Sequence, residues 1–364
     1  LIIIFFIYYL YILVLSIFSN NILLSLESSL FYFRFILFSL GVTYFFYNFK
    51  NLNKYFSIIS FLICLLIIFD SFFQFFFKYN LVGIMMDPVH GYGRISGLFG
   101  KEYILGSYLS RISPLIIGIL IYTLNKTRYF NIYISIFIIL INLTIFISGE
   151  RSAILYSIIF NFSILLLDRK RFKIFLVSIC CSMLLIYSII NFSTPHKERI
   201  IDKSIDQITN KESAHKRINA LINDDNLNLK KFKVFSEEHE QHYFKALKIF
   251  NNSKLFGIGP KLFRQECSNK IYTSKEFHNN KEILKKGCST HPHNIYLQAL
   301  SETGIIGFLF ILLFFMYVTY NLIKQIFVQS KHYLFSYIYI SIFISLFPII
   351  PTGSLFNSWI LSIN

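Results

Sequence analysis

The stretch CSTHPHNIYLQALSETGIIGFLFILLFF, Cys288–Phe315, passes from a polar segment with two histidines straight into an oily run. From Asn294 onward the pattern is helical and apolar, and a helix of about 20 such residues crosses a bilayer. Pro292 disfavours the α region for His291, so 289–293 enters this helix as extended chain. His293 then stands at or just before a helix N-terminus at the membrane surface. Free N–H groups and a partial positive charge there favour anions and a neutral imidazole.

Similar oily windows recur through the 364 residues, of which 55% are hydrophobic and 43 are Phe. They predict spans near 1–18, 30–49, 55–77, 103–123, 130–148, 153–167, 173–192, 295–323 and 333–350. The expected fold is an all-α polytopic membrane protein with about nine transmembrane helices and one large, partly helical loop. It divides into N-terminal helices (1–192), a polar loop carrying the histidines at its end (193–293) and C-terminal helices (294–364). The first span is too long and too aromatic for a cleaved signal peptide. A start at Leu1 and an end soon after Trp359 lead us to expect a fragment lacking terminal helices.

The net charge of +16 could point to nucleic acid, but no compact basic face with interleaved aromatics accompanies it. Its distribution instead orients the chain. Lys50 and Lys54, Lys126 and Arg128, the run Asp168-Arg169-Lys170-Arg171, and Lys324 with Lys331 fall between spans as cytoplasmic clusters. The 193–293 loop and a shorter segment, 80–102, then face outward, and long loops are exempt from the charge bias.

Within the long loop, EEHEQHYFKALKIF (237–250) places Tyr243, Ala246, Leu247 and Phe250 at helical spacing. The following LFGIGPKLFR breaks that helix and forces a turn. Cys64, Cys180 and Cys181 lie in spans, where a thiol packs as a small apolar group. Cys267 and Cys288 lie in the outer loop, where the compartment permits a disulfide. Bridged, they close a ring worth about 3 kcal/mol in the chain-entropy model and tether the segment ahead of His291; two free thiols are the alternative. Glu302 is costly inside an apolar span without a partner or a function, whereas Gly304 and Gly307 are explicable as close-packing residues.

His293-Asn294, nine residues, then Gly304-Ile-Ile-Gly307 resembles the histidine signature of the O-antigen ligase and polymerase superfamily, integral membrane glycosyltransferases. LFGIGPKLFR resembles the turn that precedes the family's histidine. Arg94-Ile-Ser-Gly and Ser148-Gly-Glu-Arg151-Ser resemble its two upstream outer-face motifs. The resemblance implies metal- and cofactor-free transfer of a glycan from undecaprenyl pyrophosphate to an acceptor hydroxyl, at the periplasmic face of a bacterial inner membrane. It implies His293 as the base or orienting group, with Asn294, His291, Glu302, Gly304 and Gly307 in support. A pyrophosphate leaving group gathers charge as the sugar bond breaks, and fixed guanidinium forks suit it. Arg151 is the first choice for that role, then Arg94 and Arg264, each of which could otherwise be a headgroup-facing surface charge. Family members often carry an arginine on the loop helix, where this chain has His239 and His242.

Three alternatives stand beside this reading. Glu238-His239-Glu240-Gln241-His242 is rich in metal ligands, but its histidines are three apart and not the four of a zinc-protease helix. A transporter would place charges near the bilayer midplane, for which Asp70, Arg111 and Glu302 are the candidates. Within the family, a ligase uses a lipid A core acceptor and a polymerase another carrier-linked glycan; the long pre-motif loop favours the ligase, by analogy alone.

Overall fold

The computed structural model describes residues 2–49, 52–86, 93–124, 129–205, 235–272, 284–328 and 333–356. Lys50, Lys126, Arg128, Lys331 and Trp359 of the sequence reading lie outside the described residues. So do the middle of the outer segment, 87–92, and the loop stretches 206–234 and 273–283.

The helices are α1 (Ile2–Ile17), α2 (Ile22–Ser29), α3 (Phe33–Asn48), α4 (Leu52–Phe77), α5 (Leu105–Leu124), α6 (Phe130–Ile147), α7 (Arg151–Leu167), α8 (Phe172–Phe192) and α9 (Thr194–Lys197). They continue with α10 (Glu237–Asn252), α11 (Phe263–Glu266), α12 (Ile295–Val328) and α13 (Tyr333–Ser345). Among the described residues six apolar runs are long enough to cross a membrane: Ile22–Asn48, Leu52–Phe77, Leu105–Leu124, Phe130–Ile147, Arg169–Phe192 and Ile295–Phe327. Ile2–Ile17, Arg151–Leu167 and Leu334–Ser345 are apolar but shorter. Among the described residues the only β pairing is an isolated antiparallel bridge, Tyr79 to Met85.

Four boundaries differ most from the sequence reading: α4 begins at Leu52 and α12 runs on to Val328, which places Lys54 and Lys324 inside helices, and two others have a local cause. The second span starts at Ile22, because the Asn21 side chain caps α2 through Leu24 N–H and a 3-10 turn, Leu30–Tyr32, carries the helix into α3. The last span stops at Ser345, ahead of Pro348, which cannot continue a helix.

Several polar groups inside the bundle find partners within it, as hydrocarbon surroundings favour. Asn142 accepts from Ser157 Oγ at 2.7 Å and from Asn161 Nδ2 at 2.9 Å, joining α6 to α7. Gly118 lets α5 press against Tyr337 of α13, and Ser341 donates to the Arg111 carbonyl at 2.6 Å near Pro114. The Arg111 guanidinium is buried within α5, donating to the Ser107 carbonyl and to Tyr156 Oη, each at 2.9 Å, with the Tyr156 ring beneath it. At the other end of α7, Asp168 and Arg171 form a buried ion pair of 2.7 Å.

α12 is broken at Gly304, whose φ of 67° and ψ of −168° lie in a region essentially closed to side chains. The break frees backbone groups, and the turn after α10 takes them up. Ile258 N–H donates to Ser301 O at 3.1 Å, Gly259 N–H to Glu302 O at 2.9 Å, and Ile305 N–H to Lys254 O at 2.9 Å. A Cβ on Gly304 would overlap the Leu255 carbonyl. Gly304→Ala is therefore expected to cost about 3 kcal/mol or more through strain and collision, seen as a lower unfolding temperature in detergent; an unchanged temperature would mean the turn is not docked there.

Gly304 thus admits a loop, not a neighbouring helix, and Gly307 makes room for the Thr303 side chain on its own helix. On α10 the buried apolar face is Tyr243, Ala246 and Ile249, while Phe250 is half-buried. Leu247, expected on that face, is exposed. The one-residue error follows from reading Leu247 as the i+4 partner of Tyr243, where the helix uses Ala246 and Ile249 at i+3 and i+6.

Candidate active site

His293 is fixed by its backbone. Asn294 Oδ1 accepts from Tyr296 N–H at 3.0 Å and Leu297 N–H at 3.1 Å, which is N-cap geometry for α12. Its amide also donates to Pro348 O at 2.8 Å. Thr352 N–H donates to the His293 carbonyl at 2.8 Å, and Thr352 Oγ1 accepts from Ile295 N–H at 3.1 Å. The segment after α13 therefore clamps the helix entry from both sides. His293 itself has a φ of 57°, a left-handed conformation uncommon for a side-chain residue and found where surroundings impose it. Among the described residues its ring nitrogens have no hydrogen-bond partner.

Three more imidazoles surround it. Ring centroids lie at 4.2 Å for His291, 5.2 Å for His242 and 5.4 Å for His239. α10 delivers His239 and His242 one turn apart on the same face. Ser236 bonds His239 Nδ1 at 2.6 Å. The Gly287 carbonyl lies 2.9 Å from His242 Nδ1; a carbonyl only accepts, so that nitrogen carries a proton. The strand of chain that holds Gly287 is tied to the loop by a Cys267–Cys288 disulfide with Cα atoms 5.5 Å apart. The bond joins the segment after α11 to the residues immediately before His291.

Burial first, then repulsion from neighbouring imidazoles, favours the neutral form of His239, His291 and His293. His293 is pushed down to about 3 by burial and by His291, His239 and His242. His239 falls to about 4 through burial, His242 and Arg151. His291 falls to about 4 chiefly through burial. Folded-state values below the ordinary 6.5 mean the unfolded chain binds more protons between the two. The stability contributed is thus whole above about 6.5 and is lost as pH falls toward 4 and 3. Unfolding temperature should fall across that window, with a shallower slope in His293→Asn; a profile that is flat across it would contradict the buried neutral cluster.

A guanidinium cluster adjoins the imidazoles. Arg151 opens α7, and its charge reaches His239. Arg94 lies over the Tyr103 ring at 4.3 Å and donates to the Tyr103 carbonyl at 3.3 Å. Arg199, absent from the sequence reading, donates through Nε to the Gly149 carbonyl at 2.9 Å. It is pushed down to about 10 by burial, then by Arg94 and Arg151. His196 sets that placement: its Nε2 donates to Ile147 O at 2.9 Å while Ser193 bonds Nδ1. Gly149, with a φ of 69°, is needed because a Cβ there would overlap the Gly93 carbonyl. Segments 93–95, 148–151 and 193–199 therefore meet at one spot.

Among the described residues Glu150 is a carboxylate whose charge acts on Arg199. Its oxygens accept from Gly106 N–H at 2.7 Å, Ser107 N–H at 3.2 Å and Ser107 Oγ at 2.6 Å, capping α5. The charges of Arg94, Arg151 and Glu150 all act on Arg199, and such a gathering of guanidinium groups is suited to an anion.

The other sequence candidates fall elsewhere. Arg264 is exposed on α11 and acts on His291, apart from the Arg94–Arg151–Arg199 group. Glu302 is fully buried, accepting from Phe263 N–H at 3.0 Å and Gln298 Nε2 at 2.9 Å. It joins α11 to α12 and so positions Arg264. Asp70 accepts from Leu81 N–H at 2.8 Å and helps hold residues 78–86 to α4. Among the described residues no group of three or more His, Cys, Asp and Glu side chains is arranged to hold a metal ion.

Apolar spans bundled under a polar end with interior hydrogen bonding define a helical membrane protein. Residues 134–312 match the family model described as O-Antigen ligase, and that segment belongs to the O-antigen ligase superfamily of glycosyltransferase-like enzymes. The match takes in Arg151, Arg199, Arg264, His293, Gly304 and Gly307, about half of the chain. Neither a curated protein nor a solved structure matches the chain.

Proposed function

We propose that this protein is a glycosyltransferase of the ligase type. It moves a glycan from an undecaprenyl pyrophosphate carrier to a hydroxyl of lipid A core, at the periplasmic face of the bacterial inner membrane, without a metal. What supports the reading is the juxtaposition of Arg94, Arg151 and Arg199 with the histidines around His293. The guanidinium groups hold the diphosphate and stabilise the charge that collects on it as the glycosidic C–O bond breaks. The neutral His293 imidazole accepts the acceptor's hydroxyl proton, or orients that hydroxyl, as the new C–O bond forms. Glu150 holds the arginines' scaffold and Glu302 the loop; neither needs to react.

The test is reconstituted protein supplied with an undecaprenyl pyrophosphate glycan, strong chelator and two acceptors, lipid A core and a second carrier-linked glycan. Glycosylated lipid A core with release of undecaprenyl pyrophosphate is the expected result. A lengthened carrier-linked glycan would instead make it a polymerase. Intact donor recovered in the opposite leaflet would overturn the enzyme reading.

A further inference from the structure

The turn after α10 ends in two exposed apolar side chains, Leu255 at 61% and Phe256 at 55% exposure. Their level in the membrane can be read from α12. The run 305–323 of α12 carries no charge and matches the roughly 20 residues that fill the hydrocarbon layer. Glu302 and Lys324 bound it. The apolar edge of the bilayer therefore lies close to Gly304. From that level the surface of α12 is oily: Ile306, Leu309, Leu313 and Met316 are all exposed.

The turn sits at this same level, because Lys254 O accepts from Ile305 N–H and the Leu255 carbonyl lies against Gly304. Leu255 and Phe256 thus continue the lipid-facing surface of α12. Just ahead of them Asn251, Asn252 and Lys254 are exposed and polar. An apolar tip with an adjacent ammonium that can reach upward suits the boundary between acyl chains and anionic headgroups.

We propose that Leu255 and Phe256 insert into the acyl edge of the bilayer while Lys254 meets headgroup phosphate. The tip then anchors the C-terminal end of α10, and the lipid sets the height of His239 and His242. This anchoring is independent of whether the protein transfers a glycan.

The experiment places tryptophan at the tip, Phe256→Trp or Leu255→Trp, in a Trp359→Phe background. Full-length protein is reconstituted into bilayers with acyl chains brominated near the headgroup or near the chain end. For a residue 5–10 Å into the interface, bromines near the headgroup should remove roughly half of the emission and those at the chain end much less. Ile271→Trp, in the polar loop, should be insensitive to both. Tip emission unaffected by either brominated lipid, but quenched by aqueous iodide like position 271, would overturn the proposal. So would emission that responds only when undecaprenyl phosphate is added, which would assign the tip to the carrier chain. Two tip variants guard against one failing to fold.

Discussion

His293→Asn should reduce glycan transfer by about 10²–10⁴-fold while membrane insertion and donor binding persist. Asparagine is the informative replacement because it tolerates the left-handed backbone that position 293 requires. The loss then reports the imidazole and not the turn. His293→Ala should lose as much activity and also some stability, since alanine is strained there. Because burial and three neighbouring histidines hold the His293 pKa at about 3, the ring is already neutral at physiological pH. The transfer rate in the wild type should show no acidic limb near 6.5. Transfer by His293→Asn within a few fold of wild type would remove the histidine from the chemistry.

Arg151→Lys should lower transfer about 10- to 100-fold, although the charge is retained. A guanidinium donates in a planar fork to two phosphate oxygens, which a single ammonium cannot reproduce. Arg199→Lys should behave alike, for a second reason: its Nε donation to the Gly149 carbonyl keeps that segment against Gly93. Both variants should express at wild-type level, because neither residue is an anchor of the helical core. Measured with saturating acceptor, the defect should appear as weakened donor use. Full activity in both lysine variants would mean that charge alone, or neither residue, serves the donor.

Much of this arrangement is legible in the sequence. Uncharged runs of Ile, Leu and Phe gave the helices their positions, since a bilayer-spanning helix is encoded in the residues it contains. His293-Asn294 marked a helix entry because an N-cap acts on its own next turn. Contacts between distant segments left no such trace. His239 and His242 stand about 50 residues ahead of His291 and His293, and only α10 docking on the broken α12 brings their rings together. Arg199 is one basic residue in a Lys-rich loop; its importance comes from His196 gripping the Ile147 carbonyl. Glu302 in an apolar span called for a partner or a function, and the loop docked at the Gly304 break brings the Phe263 N–H from which its carboxylate accepts. Leu247 was placed on the buried face of α10 because an amphipathic helix with many apolar residues offers several faces of similar spacing.

The most direct test is where the donor's diphosphate rests. An undecaprenyl diphosphate carrying a photoreactive group beside its headgroup, added to reconstituted wild-type protein and irradiated, should label peptides containing Arg94, Arg151, Arg199 or His239, and a non-photoreactive donor should compete. Labelling confined to the opposite end of the bundle, around Asp168–Arg171 or the 350 Å³ apolar cavity between α7, α12 and α13, would contradict a guanidinium and imidazole site at one rim.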